Sequence, residues 1–408
     1  MRIAMVSEHA SPLAVLGGAD AGGQNVHVAA LALALAERGH SVEVYTRRDD
    51  EVSTEVVPLG AGVDVIQVPA GPARTVPKDE LLPYMPAFGR WMAGRWREDP
   101  PDLVHAHFWM SGVACQEALR AVPIPMAQTF HALGVVKRRH QGSQDTSPPE
   151  RLGIEERLAA MSDAVIATAT DEVRELLELG APPSSMHVVP CGVDLSLFGV
   201  GPQDDRWWSR RTGRILSVGR LVERKGVSTI IKALQDLPDA ELVIAGGPAG
   251  DDFENDPEVR RLRAEAGRLG VADRVRLIGP VGRDVVPRLI RSADVVVCTP
   301  WYEPFGIVPL ETMACGRPVV GAAVGGLLDT VEDGVTGLLV PPQDPERLAE
   351  ALRELLASPA RREAMGASGL RRVRERYSWH QVAADTEAVY TRLLAGRATT
   401  AVVGRKGQ

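Results

Sequence analysis

The order of its apolar segments is the feature that most constrains the fold of this chain. Short apolar runs alternate with longer amphipathic ones, which is typical of βαβ units that build a parallel sheet. A first helix is predicted over 24–38, where Gly39 ends it. The strands predicted in the first half are 2–7, 41–46, 103–108, 125–130 and 164–169, and a last strand with its turn covers 188–194.

The same alternation restarts after a segment without periodicity, 195–213, which is interpreted as a linker. The strands predicted in the second half are 214–220, 241–247, 274–280, 294–300, 318–325 and 337–340. A chain of 408 residues also exceeds one ordinary core. We therefore predict two α/β, doubly wound, Rossmann-like domains, 1–195 and 196–379, followed by a helix at about 380–396. Two such domains facing each other would form a cleft at the carboxyl ends of their strands.

Composition and charge exclude several classes of function. The net charge of −7 argues against nonspecific binding of nucleic acid. Four scattered cysteines, Cys115, Cys191, Cys298 and Cys315, form neither a CxxC pair nor a zinc-ligand spacing, so we expect no metal site. The start of the chain lacks the apolar core of a signal peptide, and no apolar run is long enough to span a membrane. A cytoplasmic enzyme without membrane insertion is expected.

A glycine-rich loop, LGGADAGGQNVHV at 16–28, lies between the first strand and the first helix. Its glycines, Gly17, Gly18, Gly22 and Gly23, do not fit the GxGxxG spacing of a dinucleotide site. The second strand ends in YTRR and so lacks the carboxylate that would hold a ribose. The loop is then either a tight connection or a place where main-chain N–H groups approach an anion.

The segment LSVGRLVERKG at 216–226 places two cations at the end of a predicted strand. Arg220 follows the strand directly, and Lys225 precedes the next helix. A guanidinium and an ammonium at this position suit a diphosphate, which presents several anionic oxygens. Without further context, a solvated turn is an equally good interpretation.

A pair of carboxylates follows another strand of the second half, in WYEPFGIVPLETMACGRPVV at 301–320. Pro309 suits the first turn of a short helix, and Gly316 suits its end. Glu303 would precede this helix and Glu311 would lie within its first turn, while the intervening FGIV would offer N–H groups to an anion. These residues point to an enzyme of nucleotide-linked substrates; a hinged binding protein of the periplasmic kind remains the alternative, which the lack of a signal peptide disfavours.

Together, EPFGIVPLE, GRLVERKG and DAGGQNV resemble the retaining glycosyltransferases of family 4, which have the GT-B fold. The resemblance covers essentially the whole chain. The N-terminal half is most similar to the inositol-phosphate N-acetylglucosaminyltransferases of mycothiol synthesis, and next to sucrose-phosphate synthases. The resemblance implies a hexosyltransferase that moves a sugar from a nucleoside-diphosphate donor, UDP-GlcNAc or UDP-glucose, to a hydroxyl of a small soluble acceptor. A nucleotide-sugar epimerase of the same fold is a further alternative.

The resemblance also implies roles for the donor-binding residues. Arg220 and Lys225 would neutralise the diphosphate and stabilise the leaving nucleotide. Glu311 would hold the ribose hydroxyls, and Glu303 would accept hydrogen bonds from the donor sugar. The main-chain amides expected to cradle phosphate and sugar are those of Phe305, Gly306, Ile307 and Val308.

Two residues of the N-terminal half are implied near the donor, Gly23 at its phosphates and His131 at its sugar. Family members retain the anomeric configuration without an established protein nucleophile, through front-face attack by the acceptor hydroxyl. No DxD metal motif accompanies the diphosphate residues, and two cations there make Mg²⁺ dispensable. The last helix would cross back to the first domain, as in family members, and a homodimer is one option for the assembly.

For the acceptor, Lys78 and Arg151 match positions that hold a phosphate in the mycothiol-type enzymes, and Asn25 matches a residue near the acceptor ring. This chain has Phe108 where those enzymes have Tyr, and Ala132 where they have Thr. Both departures remove a hydroxyl that could bind phosphate, each worth roughly 1.5–3 kcal/mol. The acceptor is then a sugar or cyclitol phosphate, or the two cations serve only as surface charges.

Overall fold

The computed structural model describes residues 1–13, 22–209, 213–248, 250 and 252–405, with side chains up to residue 396. The chain forms two compact units. Unit 1 comprises Met1–Cys191 together with Trp379–Gln408, and unit 2 is Gly192–Ser378. These boundaries lie within a few residues of the positions, 195 and 379, to which the sequence assigns them.

Unit 1 is built on an eight-stranded sheet in the order β3-β4-β2-β1-β5-β6-β7-β8. Every neighbouring pair is parallel except the edge pair β3 and β4. The central strands are almost wholly buried, as expected for a parallel sheet that is covered on both faces. The strands are β1 Arg2–Val6, β2 Ser41–Arg47, β3 Val56–Gly60, β4 Val63–Val68, β5 Leu103–His107, β6 Met126–Thr129, β7 Ala164–Ala167 and β8 Met186–Val188.

The first five predicted strands of this half are confirmed, whereas the last, 188–194, shares only Val188 with β8, and the antiparallel hairpin of β3 and β4 was not predicted. Its two runs are separated by a short turn in which Gly62 has a φ of +77°. Pro58 lies in the edge strand β3, where a missing N–H is tolerated. The last strand of the half ends at Val188, so 189–194 do not continue it.

The helices of unit 1 pack around this sheet. They are α1 Gly23–Glu37, α2 Met85–Glu98, α3 Trp109–Leu119, α4 Gly134–Gln141, α5 Arg151–Met161 and α6 Thr170–Glu178. Short 3-10 helices cover Lys78–Glu80, Leu82–Tyr84, Gly142–Gln144 and Pro183–Ser185.

Unit 2 contains a six-stranded, wholly parallel sheet in the order β11-β10-β9-β12-β13-β14. Its strands are β9 Gly213–Val218, β10 Ala240–Ala245, β11 Val275–Gly279, β12 Val295–Cys298, β13 Val319–Ala322 and β14 Gly337–Val340. All six were predicted. The strand order reverses between β9 and β12, and in unit 1 it reverses between β1 and β5. Open α/β sheets bind ligands at such switch points, outside the carboxyl ends of the strands.

The helices of unit 2 enclose a separate core around Leu242, Ile244 and Leu352. They are α7 Val227–Ala233, α8 Asp252–Asn255, α9 Pro257–Arg268, α10 Val286–Ser292, α11 Ile307–Ala314, α12 Leu327–Thr330, α13 Pro345–Ala357 and α14 Pro359–Arg376. Short 3-10 helices cover Asp205–Trp207, Glu223–Lys225, Leu234–Asp236 and Ala272–Arg274. Within the described residues of the segment interpreted as a linker, 195–209 and 213, the regular structure is the first of these 3-10 helices and the start of β9.

The last helix, α15 Trp379–Arg405, returns to unit 1 and is longer than the 380–396 expected from the sequence. Val382, Val389 and Tyr390 lie in the core of unit 1 beside α1 and β1. The hydroxyl of Tyr390 also lies 2.7 Å from Nδ1 of the buried His105 on β5. None of the helices described, this one included, has both the length and the apolar character that crossing a bilayer would require.

Candidate active site

The switch point of unit 2 brings two loops together, one after β9 and one after β12. Gly226, in the first loop, has a φ of +69°, and the hydroxyl of Thr299 in the second loop donates to its carbonyl oxygen at 3.0 Å. A Cβ at Gly226 would lie 1.8 Å from the carbonyl oxygen of Thr299. Only glycine therefore allows this close approach of the two loops.

The approach places Lys225 against Glu303, although the two residues are 78 positions apart in sequence. The Nζ of Lys225 forms an ion pair with Oε2 of Glu303, and both side chains are partly exposed. The N–H of Trp301 donates to the carbonyl oxygen of Arg224 at 2.8 Å, which fixes the register of the two loops. The structure thus joins two residues that the sequence assigned to one site from separate motifs.

Arg220, the other predicted cation, follows β9 by two residues. Its side chain is exposed and forms no ion pair within the part of the chain that the structure describes. Burial lowers the pKa of the nearby Arg224, Glu303 raises it, and Arg220 lowers it again. The switch point therefore holds three cations, of which the exposed Arg220 is best placed to meet an anion.

The helix α11 begins shortly after Glu303, the acidic partner of the Lys225–Glu303 ion pair. Its N-cap is Gly306, which has a φ of +87° and no side chain with which to cap the first amides. Phe305 is buried, and Ile307 and Val308 form the half-buried first turn. The leading N–H groups of such a helix lack intrahelical partners, so an anion is favoured there. The four residues whose amides were expected to cradle an anion thus lie at a helix N-terminus.

Glu311 is the fifth residue of α11, because the helix begins at Ile307, two residues before Pro309. The prediction that Glu311 lies within the first turn is therefore wrong, whereas Gly316 follows the end of the helix as expected. The carboxyl group is buried, and burial raises its pKa to about 7 against the opposing effect of Arg283. The Nη1 of Arg283 lies 4.0 Å from Oε1 of Glu311.

The thiol of Cys298, at the end of β12, reports how these groups cluster. Burial raises the pKa of this thiol to about 12, and the charges of Lys225, Glu303 and Glu311 also act on it. The lysine lowers the pKa and the two carboxylates raise it. The cation and both glutamates thus surround one strand end in unit 2.

In unit 1, two neighbouring strands end in unusual backbone. Phe108 follows β5 with a φ of +82°, and His131 follows β6 with a φ of +60°. Gln343 is the one other non-glycine residue with a positive φ among the described residues. Such conformations cost about 1–3 kcal/mol and concentrate at functional sites. They mark the carboxyl ends of β5 and β6 as a candidate site.

The residues expected to bind an acceptor phosphate gather around Phe108. The Nζ of Lys78 lies 5.5 Å from the centre of its ring, and the guanidinium carbon of Arg151 lies 5.2 Å from it. Arg151 is buried: its Nε donates to Glu155 at 2.7 Å, and its Nη2 donates to the carbonyl oxygen of Ala132 at 2.6 Å. Phe108 and Ala132, the two positions at which a hydroxyl of the mycothiol-type enzymes is lost, therefore both adjoin Arg151.

Asn25 and Gly23 lie at the start of α1, and Gly23 is exposed. The buried amide of Asn25 accepts from the N–H of Gly22 at 3.0 Å and donates to the carbonyl oxygen of Ser11 at 3.0 Å. Its observed contacts thus cap the helix. The remaining glycines of the loop, Gly17 and Gly18, lie outside the described residues.

Four histidines cluster under this site, and the sequence singled out only one of them. His107 Nδ1 lies 3.0 Å from His131 Nε2, and the rings of His105 and His107 lie 4.0 Å apart. His27, on α1, has its ring centre 5.0 Å from that of His131. Burial lowers the pKa of His27 to about 4 and that of His105 to about 3, and it holds the pKa values of His107 and His131 well below 6.5.

Two further charged groups near the candidate sites, Glu8 and Arg283, were not identified from the sequence. Glu8 follows β1 at the switch point of unit 1, is buried, accepts from the hydroxyl of Ser111, and lies 2.6 Å from Nδ1 of His9. The ring of His9 packs against Phe108, with centres 4.9 Å apart. The sequence did contain a signal for Glu8, because SEHA directly follows the first predicted strand. Arg283 carried no comparable signal.

Comparisons with known proteins show the family of this chain. The family model described as "Glycosyltransferase Family 4" matches residues 21–197, and the one described as "Glycosyl transferases group 1" matches 209–372. A D-inositol 3-phosphate glycosyltransferase of Xylanimonas cellulosilytica is 38% identical over 95% of this chain and 96% of its own. One of Kineococcus radiotolerans is also 38% identical, over 97% and 96%.

Among solved structures, a sucrose-phosphate synthase of Thermosynechococcus elongatus is 32% identical, with a TM-score of 0.87 over 97% of this chain and 99% of its own. HepE of Anabaena, solved with UDP, has a TM-score of 0.75 at 20% identity, over 96% of this chain and 100% of its own. At that identity the second likeness shows the fold alone.

Proposed function

The chain belongs to the family 4 glycosyltransferases with the GT-B fold, and from this premise we propose that it moves a sugar from a UDP-linked donor to a hydroxyl of a small acceptor with retention of configuration. The observation that carries the proposal is the Lys225–Glu303 ion pair beside the exposed Arg220 at the switch point of unit 2. It offers cations for a diphosphate next to a carboxylate for sugar hydroxyls.

In this proposal, unit 2 binds the donor. Arg220 and Lys225 contact the diphosphate, the amides of Phe305 to Val308 cradle phosphate and sugar, and Glu311 accepts hydrogen bonds from the ribose. Lys225 is held by Glu303, so its ammonium is oriented before the donor arrives. Fixed cations of this kind stabilise the charge that develops on the leaving diphosphate. Because they are already present, the reaction requires no divalent ion at this place.

Transfer follows front-face attack. The acceptor oxygen bonds to the anomeric carbon on the side from which the diphosphate leaves, as the bond from that carbon to the phosphate oxygen breaks. The acceptor's proton passes to the departing phosphate, so no protein base is consumed. His131 contacts the donor sugar as a neutral ring, in keeping with its lowered pKa. Gly23 approaches the donor phosphates.

Unit 1 selects the acceptor, and Lys78, Arg151 and Asn25 are its proposed contacts. The relatives named D-inositol 3-phosphate glycosyltransferases support a cyclitol phosphate, and Lys78 and Arg151 supply positive charge near Phe108. A sugar phosphate is the second candidate, favoured by the likeness to a sucrose-phosphate synthase. Since Phe108 and Ala132 offer no hydroxyl, a phosphate would be bound more weakly than where both hydroxyls are present.

The test begins with a thermal-shift screen of UDP, GDP and ADP sugars on the whole chain. The stabilising donor is then incubated with inositol phosphate, ketohexose phosphates and their unphosphorylated forms. We expect UDP release that depends on an acceptor, and an α-linked product by NMR from an α-linked donor. An epimerised sugar released without an acceptor would instead indicate the epimerase alternative, and no donor consumption with any acceptor would contradict a transferase.

A further inference from the structure

Three histidines from separate elements of unit 1 point their ring nitrogens at one place. His27 lies on α1, His107 ends β5, and His131 follows β6. One ring nitrogen of each lies within 4.8 Å of the others, and His107 Nδ1 and His131 Nε2 are 3.0 Å apart. His27 and His107 are buried, while His131 is partly exposed. The cluster is thus reached from the side of His131.

We propose that His27, His107 and His131 bind one divalent ion of the zinc class, and that the bound ion inhibits the transferase by occupying His131. Imidazole is a preferred ligand of zinc, and three protein ligands leave a position for water. In tetrahedral geometry with Zn–N bonds of about 2.0–2.1 Å, ligand nitrogens lie about 3.3 Å apart. The rings reach that arrangement by adjustments on the order of an ångström.

A contact outside the cluster orients one of its rings. His27 Nδ1 lies 3.2 Å from Cys191 Sγ, which leaves Nε2 as the nitrogen for coordination.

Inhibition, unlike binding, rests on the role proposed for His131 in the transfer reaction. His131 Nε2 faces His107, so a metal bound to it would fix the ring in that contact and change how the ring meets the donor sugar. The ion would therefore lower the rate of transfer, whereas the cations of unit 2 would still bind a nucleoside diphosphate. UDP binding thus separates failure of the metal proposal from failure of the proposed function.

The test uses the full chain, freed of metal with a chelator and dialysed against buffered Zn²⁺. We expect about one zinc per chain in the unaltered protein and at least about tenfold weaker binding in His27→Phe, which keeps a ring beside Trp379. His187→Asn, at a histidine on β8, is the matched control and should bind zinc normally. Absence of zinc binding, or equal binding in His27→Phe, overturns the site.

Two further readouts complete the test. Co²⁺ bound to the unaltered protein should show the visible absorption of a nitrogen-ligated ion, a result that does not depend on whether a variant folds; an oxygen-ligated spectrum contradicts the site. Zinc should inhibit transfer in the unaltered protein and not in His27→Phe. If zinc binds and the rate of transfer is unchanged, the proposed inhibition is overturned and the proposed role of His131 is contradicted. An unchanged affinity for UDP in the same samples would show that the donor site of unit 2 is intact.

Discussion

Phe108 is the residue at which this chain departs most clearly from a phosphate-binding site. The charged ends of Lys78 and Arg151 lie 5.5 Å and 5.2 Å from the centre of its ring, which offers neither of them a hydrogen-bonding partner. Such contacts with an aromatic face contribute about 0.5–2 kcal/mol each. They hold the two cations in place without using all their donors.

Phe108→Tyr should therefore strengthen binding of a phosphorylated acceptor by about tenfold, because a hydroxyl beside two cations adds a charge-assisted hydrogen bond. The measurement is the KM for the phosphorylated acceptor, with its unphosphorylated form as the control. An equal gain for both forms would show that the hydroxyl acts on something other than the phosphate.

Glu311 gives a prediction on pH. Burial raises its pKa to about 7, so the carboxyl group is neutral below that pH and ionised above it. Only the ionised form offers both oxygens to the ribose hydroxyls. Affinity for a UDP-sugar should therefore fall as pH drops below 7, by about tenfold at one unit below.

Calorimetric titration with the UDP-sugar between pH 5.5 and 8.5 would check this, and Glu311→Gln should bind more weakly with a flat profile. A UDP-sugar is preferred to UDP because its diphosphate has no proton that titrates in this range. A flat profile in the unaltered protein would contradict the proposed role of Glu311.

Single residues also show how far sequence reasoning extends. Arg220, Lys225 and Glu303 were identified because each follows a strand, and parallel strands bring their carboxyl ends together. His27 could not be identified in this way, since it lies within the helix α1 and meets His131 only through tertiary packing. Its chemistry depends on which face of α1 is buried.

At the scale of elements, the strands of both sheets were predictable because buried parallel strands are short, continuous apolar runs. The hairpin of β3 and β4 was missed because its edge strand is half-exposed and contains Pro58. The position of the cap of α11 was not predicted. Pro309 lies in the first turn as expected, but Gly306, with its positive φ, caps the helix three residues earlier and so places Glu311 beyond that turn.

Glu172, on α6, yields a prediction on stability. Its buried carboxyl accepts from the N–H of Thr168 at 2.7 Å and from the hydroxyl at 3.0 Å, yet burial raises its pKa to about 7. The native state thus holds a proton that the unfolded chain releases near pH 4.5. The free energy of unfolding should fall as pH rises from about 4.5 through 7.

Glu172→Gln keeps both acceptor contacts without the charge, so it should stabilise the protein by about 3 kcal/mol at pH 8 and by little at pH 4.5. Urea unfolding at the two pH values measures the difference. A stabilisation that is the same at both would mean that Glu172 does not titrate in the folded state.

At the scale of the whole molecule, the two units differ in how the chain builds them. Unit 2 is one continuous segment with its own core, whereas unit 1 needs the distant helix α15. Val382, Val389 and Tyr390 are almost completely buried in unit 1. Burying each such side chain contributes about 1.5–3 kcal/mol, against a net stability of about 5–15 kcal/mol.

A fragment of residues 192–378 should therefore unfold cooperatively in urea, whereas residues 1–191 without α15 should not. Circular dichroism through the transition measures both. A cooperative transition for 1–191 at the midpoint of unit 1 in the full chain would show that α15 adds little to its stability.

The central claim is that unit 2 holds the donor diphosphate through the cations at its switch point. The most direct measurement is the initial rate of donor turnover in the full chain carrying Lys225→Ala, beside Lys232→Ala as the control. Lys232 is a half-exposed lysine on α7 that pairs with Glu265 at 3.7 Å. We predict a loss of about 100-fold or more for Lys225→Ala and an unchanged rate for the control. Unchanged turnover in Lys225→Ala would contradict the account.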